Sequence, residues 1–144
     1  MRFAVVTNCT NRKRGDAMVL ARNVAARETG AFVQEWRVQL ESTPNKNRLA
    51  ELYIGRGFSL ARDAAKAAEK LGGADLLIVS AGLGLCRADD QAASYGLTIA
   101  PGHADSVTDL LGVSPSEWWA DLTFDKHKFL RAIPPKAIGI LSLS

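Results

Sequence analysis

Leu76-Leu77-Ile78-Val79 is an unbroken apolar run, entered from Asp75 and left through Ser80. A strand with one wet face alternates apolar and polar residues, whereas a continuous apolar strand is expected where helices cover both faces. The run therefore predicts a central parallel strand, and its flanks agree. Upstream, Leu60, Ala61, Ala64, Ala65, Ala68 and Leu71 recur at helical spacing from Ser59 as N-cap to Gly72-Gly73, and so many alanines imply close packing onto a sheet. Downstream, Gly82-Leu83-Gly84 turns the chain away.

The rest of the chain supplies partners for that strand. Phe3-Ala4-Val5-Val6 reads as a buried strand over 2–7, and Ala137 to Leu143 as another. Asp16 predicts a helix through about Glu28, stopped by Gly30, and Trp36-Arg37-Val38-Gln39-Leu40 alternates like a half-buried edge strand. Pro44-Asn45-Lys46-Asn47 reads as a turn before a short helix at Leu49, Leu52 and Tyr53, broken at Gly55-Arg56-Gly57. Ala104 to Leu111 reads as a short helix closed by Gly112. Ser114-Pro115-Ser116-Glu117 combines a capping box with proline at the first helical position. A further segment around Phe129 and Leu130 ends at Pro134-Pro135. The order predicts one three-layer α/β domain over 1–144, a mainly parallel sheet of about four strands with helices on both faces. The final strand also fits the N-terminal domain of a longer protein.

With 144 residues, 47% hydrophobic and 23% charged, the chain has the composition of one globular domain rather than a disordered tail. No apolar run is long enough for a membrane span or a signal peptide, so the expectation is a cytosolic protein with no membrane partner. Cys9 and Cys86 lie too far apart to suggest a disulfide framework. His103 and His127 have no metal-ligand spacing, so neither a metal nor another cofactor is expected. The net charge of +3 hides an asymmetry: residues 1–72 carry 13 Lys+Arg against 7 Asp+Glu, and residues 73–144 carry 5 against 8. A basic half suggests a phosphate-bearing partner, DNA or a nucleotide, or else a solvated face. Nothing in the sequence sets an oligomeric state.

Ligands of open α/β sheets sit beyond the carboxyl ends of the strands, which singles out Thr7 to Arg14, Ser80 to Leu85, and Ser142 to Ser144. In the first loop Asn8, Thr10 and Asn11 offer short polar side chains, and Arg12, Lys13 and Arg14 offer three cations near a helix start: a phosphate grip, or a basic surface loop. Cys9 beside it is an activated thiol or, more in keeping with the absence of a nearby histidine, a structural cysteine. The Gly82-x-Gly84 turn admits a ligand to backbone N–H groups or serves only to leave the sheet; it is neither a dinucleotide fingerprint nor a P-loop. Of Asp89 and Asp90, solvated or capping in one reading, either is able in the other to orient water or stabilise an oxocarbenium-like charge. Tyr95 stacks on a base or packs in the core. His103 is an acid/base candidate or a surface residue. One of Trp118 and Trp119 is expected in the core, and the other offers a stacking surface.

Taken together, Val5 to Lys13, Ala50-Glu51-Leu52-Tyr53 with Gly55-Arg56-Gly57-Phe58, and Leu77 to Leu85 with Tyr95 downstream resemble the YaaA-like proteins over about residues 4–98. Those proteins carry a Cys/Ser-x-x-Lys-like first loop, a Leu-Tyr segment before a long helix, and a Ser-Ala/Gly-x-x-Gly-Leu turn followed by an acid and a tyrosine. The resemblance implies an α/β fold of the uracil-DNA-glycosylase-like group, DNA binding or nucleobase-directed chemistry, and a role in stress response or phage defence. It carries over to Asn8, Cys9, Lys13, Tyr53, Ser80, Gly82, Gly84, Asp89 and Tyr95. The chain departs from that pattern in lacking a helix-hairpin-helix element and the water-activating motif of the glycosylases.

The expected function is a nucleic-acid- or nucleotide-directed domain with an N-glycosidase-like site. Arg12, Lys13 and Arg14 hold phosphate, the Gly82 to Gly84 turn admits base or sugar, Tyr95 stacks, and Asp89 or Asp90 assists cleavage. The alternatives are a non-catalytic DNA- or protein-binding module and a small-nucleotide hydrolase or transferase.

Overall fold

A computed structural model describes residues 2–10, 12–122 and 138–142. The central run is a strand, β4 (Ala74–Ser80), reached from the first strand, β1 (Phe3–Asn8). The two are parallel, with Val5 opposite Leu76 and Asn8 opposite Val79. The last described strand, β8 (Ile138–Ser142), lies parallel to β1 on its other side. β5 (Gly84–Arg87) folds back antiparallel on β4, giving a four-stranded mixed sheet in the order β5-β4-β1-β8. Consecutive burial of Phe3, Ala4, Val5, Val6 and Thr7 reflects the inner position of β1. Because the chain goes from β1 to β4 on one side and returns to β8 on the other, strand order reverses at β1, and its carboxyl end is the place where such sheets open a crevice.

The connection from β1 to β4 differs from the predicted one in its first half. No helix forms over 16–28. Val19–Leu20 is a two-residue strand, β2, followed by a single 3-10 turn, Ala21–Asn23. Val19, Ala21 and Val24 are buried, but from an extended path, and the carboxylate of Glu35 accepts the N–H groups of Ala25 and Ala26 at 3.0 and 3.1 Å. The helix instead begins where it was expected to have stopped. α1 (Thr29–Ser42) is capped by Glu28, whose carboxylate accepts from Gly30 and Ala31. It absorbs the segment 36–40, predicted as a strand. Phe32, Val33, Trp36 and Leu40 are its buried face at helical spacing, while Val38, which the alternating pattern would bury, is 62% exposed.

The second half follows the sequence more closely. β3 (Asn47–Arg48) leads into α2 (Leu49–Leu52), and α3 (Arg56–Gly72) packs on β1 and β4, starting at Arg56 rather than after Ser59. Beyond β5, β6 (Gln91–Ala92) pairs with β3 and β7 (Tyr95–Gly96) with β2. α4 (Val107–Leu111) is shorter than predicted because Ser106, not Ala104, caps it. In α5 (Pro115–Leu122) the capping box forms as its residues predict. Glu117 N–H donates to Ser114 Oγ at 3.2 Å, and Ser114 N–H to Glu117 Oε2 at 2.7 Å. Phe129, Leu130, His127 and Pro134-Pro135 lie outside the described residues. Among the described residues no helix is long and apolar enough to cross a membrane.

The amino-terminal end of the sheet is held by one carboxylate. Asp75, at the start of β4, accepts from Arg2 Nε at 2.9 Å and from Arg87 Nη2 at 2.7 Å, joining β1, β4 and β5. The hydrogen bond from Arg2 is the main reason its carboxyl titrates below the ordinary aspartate range. A carboxyl depressed in the folded state adds stability that is present above its unfolded value and lost as pH falls through the folded one. Asp75→Ala is therefore expected to cost about 1–2 kcal/mol near neutrality, at the low end for charged hydrogen bonds because both guanidinium groups stay hydrated. In urea unfolding the gap between wild type and variant should close below about pH 4; a gap independent of pH would contradict this account.

Candidate functional site

The first loop docks on the strand-like segment after α2. Arg14 N–H donates to Leu52 O at 2.8 Å, Ile54 N–H donates to Arg12 O at 3.1 Å, and Lys13 and Tyr53 form an antiparallel bridge. Successive side chains of an extended segment point to opposite sides, so the basic triplet is divided. Arg12 is exposed beside Thr10. Arg14 Nε donates to Glu51 O at 3.3 Å on α2. Lys13 turns inward, its ammonium 4.3 Å from the centroid of the Tyr95 ring and 5.8 Å from that of Tyr53. The structure thus does not assemble Arg12, Lys13 and Arg14 into one grip.

Two clefts flank this loop. One, of about 480 Å³, is lined by Asn8, Cys9, Thr10 and Arg12 on the loop and by Gly55, Arg56, Gly57 and Phe58 at the start of α3. No side chain caps α3, and Gly55 is required there, since a Cβ would fall 2.6 Å from Thr10 Oγ1. The cleft therefore presents the N-terminus of a long helix together with two arginines and no acid. The other cleft, of about 370 Å³, is lined by Lys13, Tyr95, Ser94, Arg22, His103 and Asp105 among others. Arg22 and Asp105 pair there at 2.6 Å, and this hydrogen bond holds the Asp105 carboxyl below its usual range.

Beneath the loop lies a buried hydroxyl cluster. Tyr95 OH is 2.6 Å from both Tyr53 OH and Ser80 Oγ. Ser80 Oγ also accepts the N–H groups of Gly82 and Leu83, at 3.2 and 3.1 Å. Trp36 Nε1 donates to Gly82 O at 2.7 Å, and Trp118 Nε1 to Ala81 O at 2.9 Å. Every one of these polar groups of the turn is thus satisfied within the fold. A Cβ on Gly82 would fall 2.5 Å from Tyr95 Cε2, so glycine is needed there for the ring to pack. Burial pushes both phenols up and the Lys13 ammonium down from their ordinary values, in each case by penalising the charged form.

The expected site is therefore brought together in part. Asn8, Cys9, Thr10 and Arg12 share one cleft; Lys13 and Tyr95 share the other; Tyr53, Ser80 and Gly82 lie behind them. The turn does not offer free N–H groups at 82 and 83, and Tyr95 is only 2% exposed, its face taken by Lys13. Gly84 supplies a positive φ of 77° where β5 begins. Asp89 and Asp90 are not near. Because β5 runs antiparallel, they follow Ala88, whose N–H donates to Leu76 O, and along β4 Leu76 lies about 13 Å from Ser80 at about 3.3 Å per residue. Asp90 Oδ2 accepts from Arg87 N–H at 2.8 Å, Asp89 stands 3.6 Å from Arg87 Nε, and the Asp90 carbonyl accepts Leu49 N–H at the start of α2.

Cys9 and Cys86 are not joined in a disulfide, and among the described residues no three His, Cys, Asp or Glu side chains gather as metal ligands would. Trp118 is the buried member of its pair and Trp119 the half-buried one. Sequence reasoning missed Arg56, Ser94 and the Arg22–Asp105 pair; only Arg56, between two glycines at a helix start, carried a local signal. No protein-family model, curated protein or solved structure matches the chain.

Proposed function

We propose that this chain is a nucleic-acid- or nucleotide-directed domain that takes phosphate at the cleft between the first loop and the start of α3. The observation that carries the reading is the meeting, across that cleft, of Arg12, Arg56 and the uncapped N-terminus of a 17-residue helix with no acidic side chain in the lining. The basic balance of residues 1–72 and the resemblance to the YaaA-like proteins, with the stress-response or phage-defence setting it implies, support the same class. The reading includes a three-layer arrangement with helices on both faces of the sheet, supported by the consecutive burial of Phe3 to Thr7 in β1.

Within this class, a binding role is favoured over N-glycosidase chemistry. Tyr95 is packed rather than open for stacking, and Asp89 and Asp90 bond to their own turn at the far end of β5. The test is fluorescence anisotropy with labelled single- and double-stranded oligonucleotides across a salt series. Binding should weaken steeply with salt. Arg12→Gln with Arg56→Gln should weaken it roughly tenfold or more and lower the log–log salt slope by about 1 to 2, since each phosphate neutralised by a cation adds about 0.9 to that slope. Affinity and slope unchanged in the double variant would overturn the assignment of phosphate to this cleft.

A further inference from the structure

The cleft on the other side of the loop is lined by two residues whose polar groups the fold leaves without a polar partner. Ser94 is 5% exposed, and its Oγ is the one buried side-chain oxygen or nitrogen among the described residues with no hydrogen bond. Lys13 has no carboxylate partner among the described residues; its ammonium is met by the face of Tyr95. Both residues line the same space, the Ser94 hydroxyl itself being closed off from solvent. A buried hydroxyl without a partner and a cation partly removed from water without a counter-ion are each unfavourable, and a ring face offsets the second only in part. An anion with several oxygen acceptors satisfies both once the Ser94 hydroxyl turns toward it.

The neighbours define the ligand further. Arg22 is already held by Asp105 through Nε at 3.0 Å and Nη2 at 2.6 Å, which leaves Lys13 as the unpaired cation of the wall, with His103 at the exposed rim. Leu20 and Leu97 give the same cleft an apolar side. Its volume of about 370 Å³ exceeds what a bare inorganic anion needs and falls within the range of small-molecule sites.

We propose that this cleft binds a nucleoside monophosphate, with Lys13 taking oxygens of the phosphate, Ser94 joining it by a turn of its hydroxymethyl group into the cleft, and the apolar side receiving the nucleoside. The inference rests on the nucleotide-directed reading above but concerns a different cleft and different residues. Burial already disfavours the protonated form of Lys13, and the phosphate charge opposes that effect.

The experiment is calorimetric titration of the full chain with each of the four ribonucleoside 5′-monophosphates, with inorganic phosphate and with the corresponding nucleosides. At least one monophosphate should bind about tenfold or more tighter than either inorganic phosphate or its nucleoside. Ser94→Ala should weaken that binding by about five- to tenfold, the range expected for one hydrogen bond to a charged group, and Lys13→Met by more. Ser94→Ala should leave oligonucleotide affinity unchanged and the melting temperature equal or higher, since it removes an unpaired buried hydroxyl. No monophosphate binding alongside intact oligonucleotide binding would overturn this site and leave the phosphate cleft at α3 standing. Unweakened monophosphate binding in both variants, or inorganic phosphate binding as tightly, would also overturn it. Silence from every ligand would overturn both proposals.

Discussion

Between pH 10 and pH 11.5 the folded state is expected to lose about 3 kcal/mol of stability. Tyr53 and Tyr95 are 0% and 2% exposed, and burial raises both phenols above their ordinary range. A raised acid contributes stability that is complete below its unfolded value near 10 and falls as pH climbs toward the folded one. While both phenols stay neutral in the fold and ionise in the unfolded chain, the slope for each grows from about 0.7 kcal/mol per pH unit at pH 10 toward about 1.4 at higher pH. Lys13 works in the opposite direction. Its folded value is lowered by burial, so stability gains as pH rises from that value toward the unfolded one, and the gain tails off over about pH 10.5 to 11.5. Urea unfolding at half-unit steps should therefore show the decline set in above pH 10. These are the only two tyrosines of the chain, so tyrosinate absorbance reports on this cluster alone and should rise together with unfolding. Tyr53→Phe should roughly halve the slope. Tyrosinate appearing near pH 10 in the folded protein would refute the account.

Trp36→Ala is expected to cost about 4 kcal/mol, the range for removing a large ring from a core. The indole is 0% exposed, meets the Tyr95 ring edge-on at 5.9 Å and donates to Gly82 O. Trp36→Phe keeps most of the apolar packing and strands the carbonyl, so about 1–2 kcal/mol should remain. Trp118 does for Ala81 O what Trp36 does for Gly82 O, and its ring meets Phe32 edge-on at 5.7 Å. Because both indoles hold one turn, the Trp36→Phe and Trp118→Phe losses should fall short of additive by about 0.5 kcal/mol or more. Chemical denaturation of the two single variants and the double variant measures this directly. Strict additivity would mean that the two bonds act independently.

What the sequence revealed about this fold depended on how local the deciding interaction was. The apolar run of β4 and the Ser114 capping box are local: the run forms an inner strand, parallel to β1 although antiparallel to β5, and the box forms as read. The helix expected over 16–28 rested on Asp16 and Gly30 as punctuation, but β2 takes its partner from Tyr95 and Gly96 far along the chain, and Gly30 lies in the first turn of α1. The alternation of 36–40 was real but too short to separate a strand from the inner stripe of a helix. The same rule governs the site. Asn8, Thr10 and Arg12 were legible as a loop after a strand. The division of the basic triplet was not, because it follows from the bridge between Lys13 and Tyr53, forty residues apart in sequence. Nor could spacing show that Ser80 bonds to Tyr95 and so closes the turn.

The close approach of Thr10 to Gly55 has a consequence for recognition. The loop is packed against α3 without room for a single added carbon, and backbone bonds from Arg14 and Ile54 fix its far side. The backbone of its described residues is preorganised, so under the proposed function little conformational entropy remains to be lost there when a phosphate arrives. Selectivity then comes from shape: a ligand that does not fit the standing gap cannot draw the loop around itself, and Gly55→Ala would change which anions are accepted by moving the wall rather than by changing the charge.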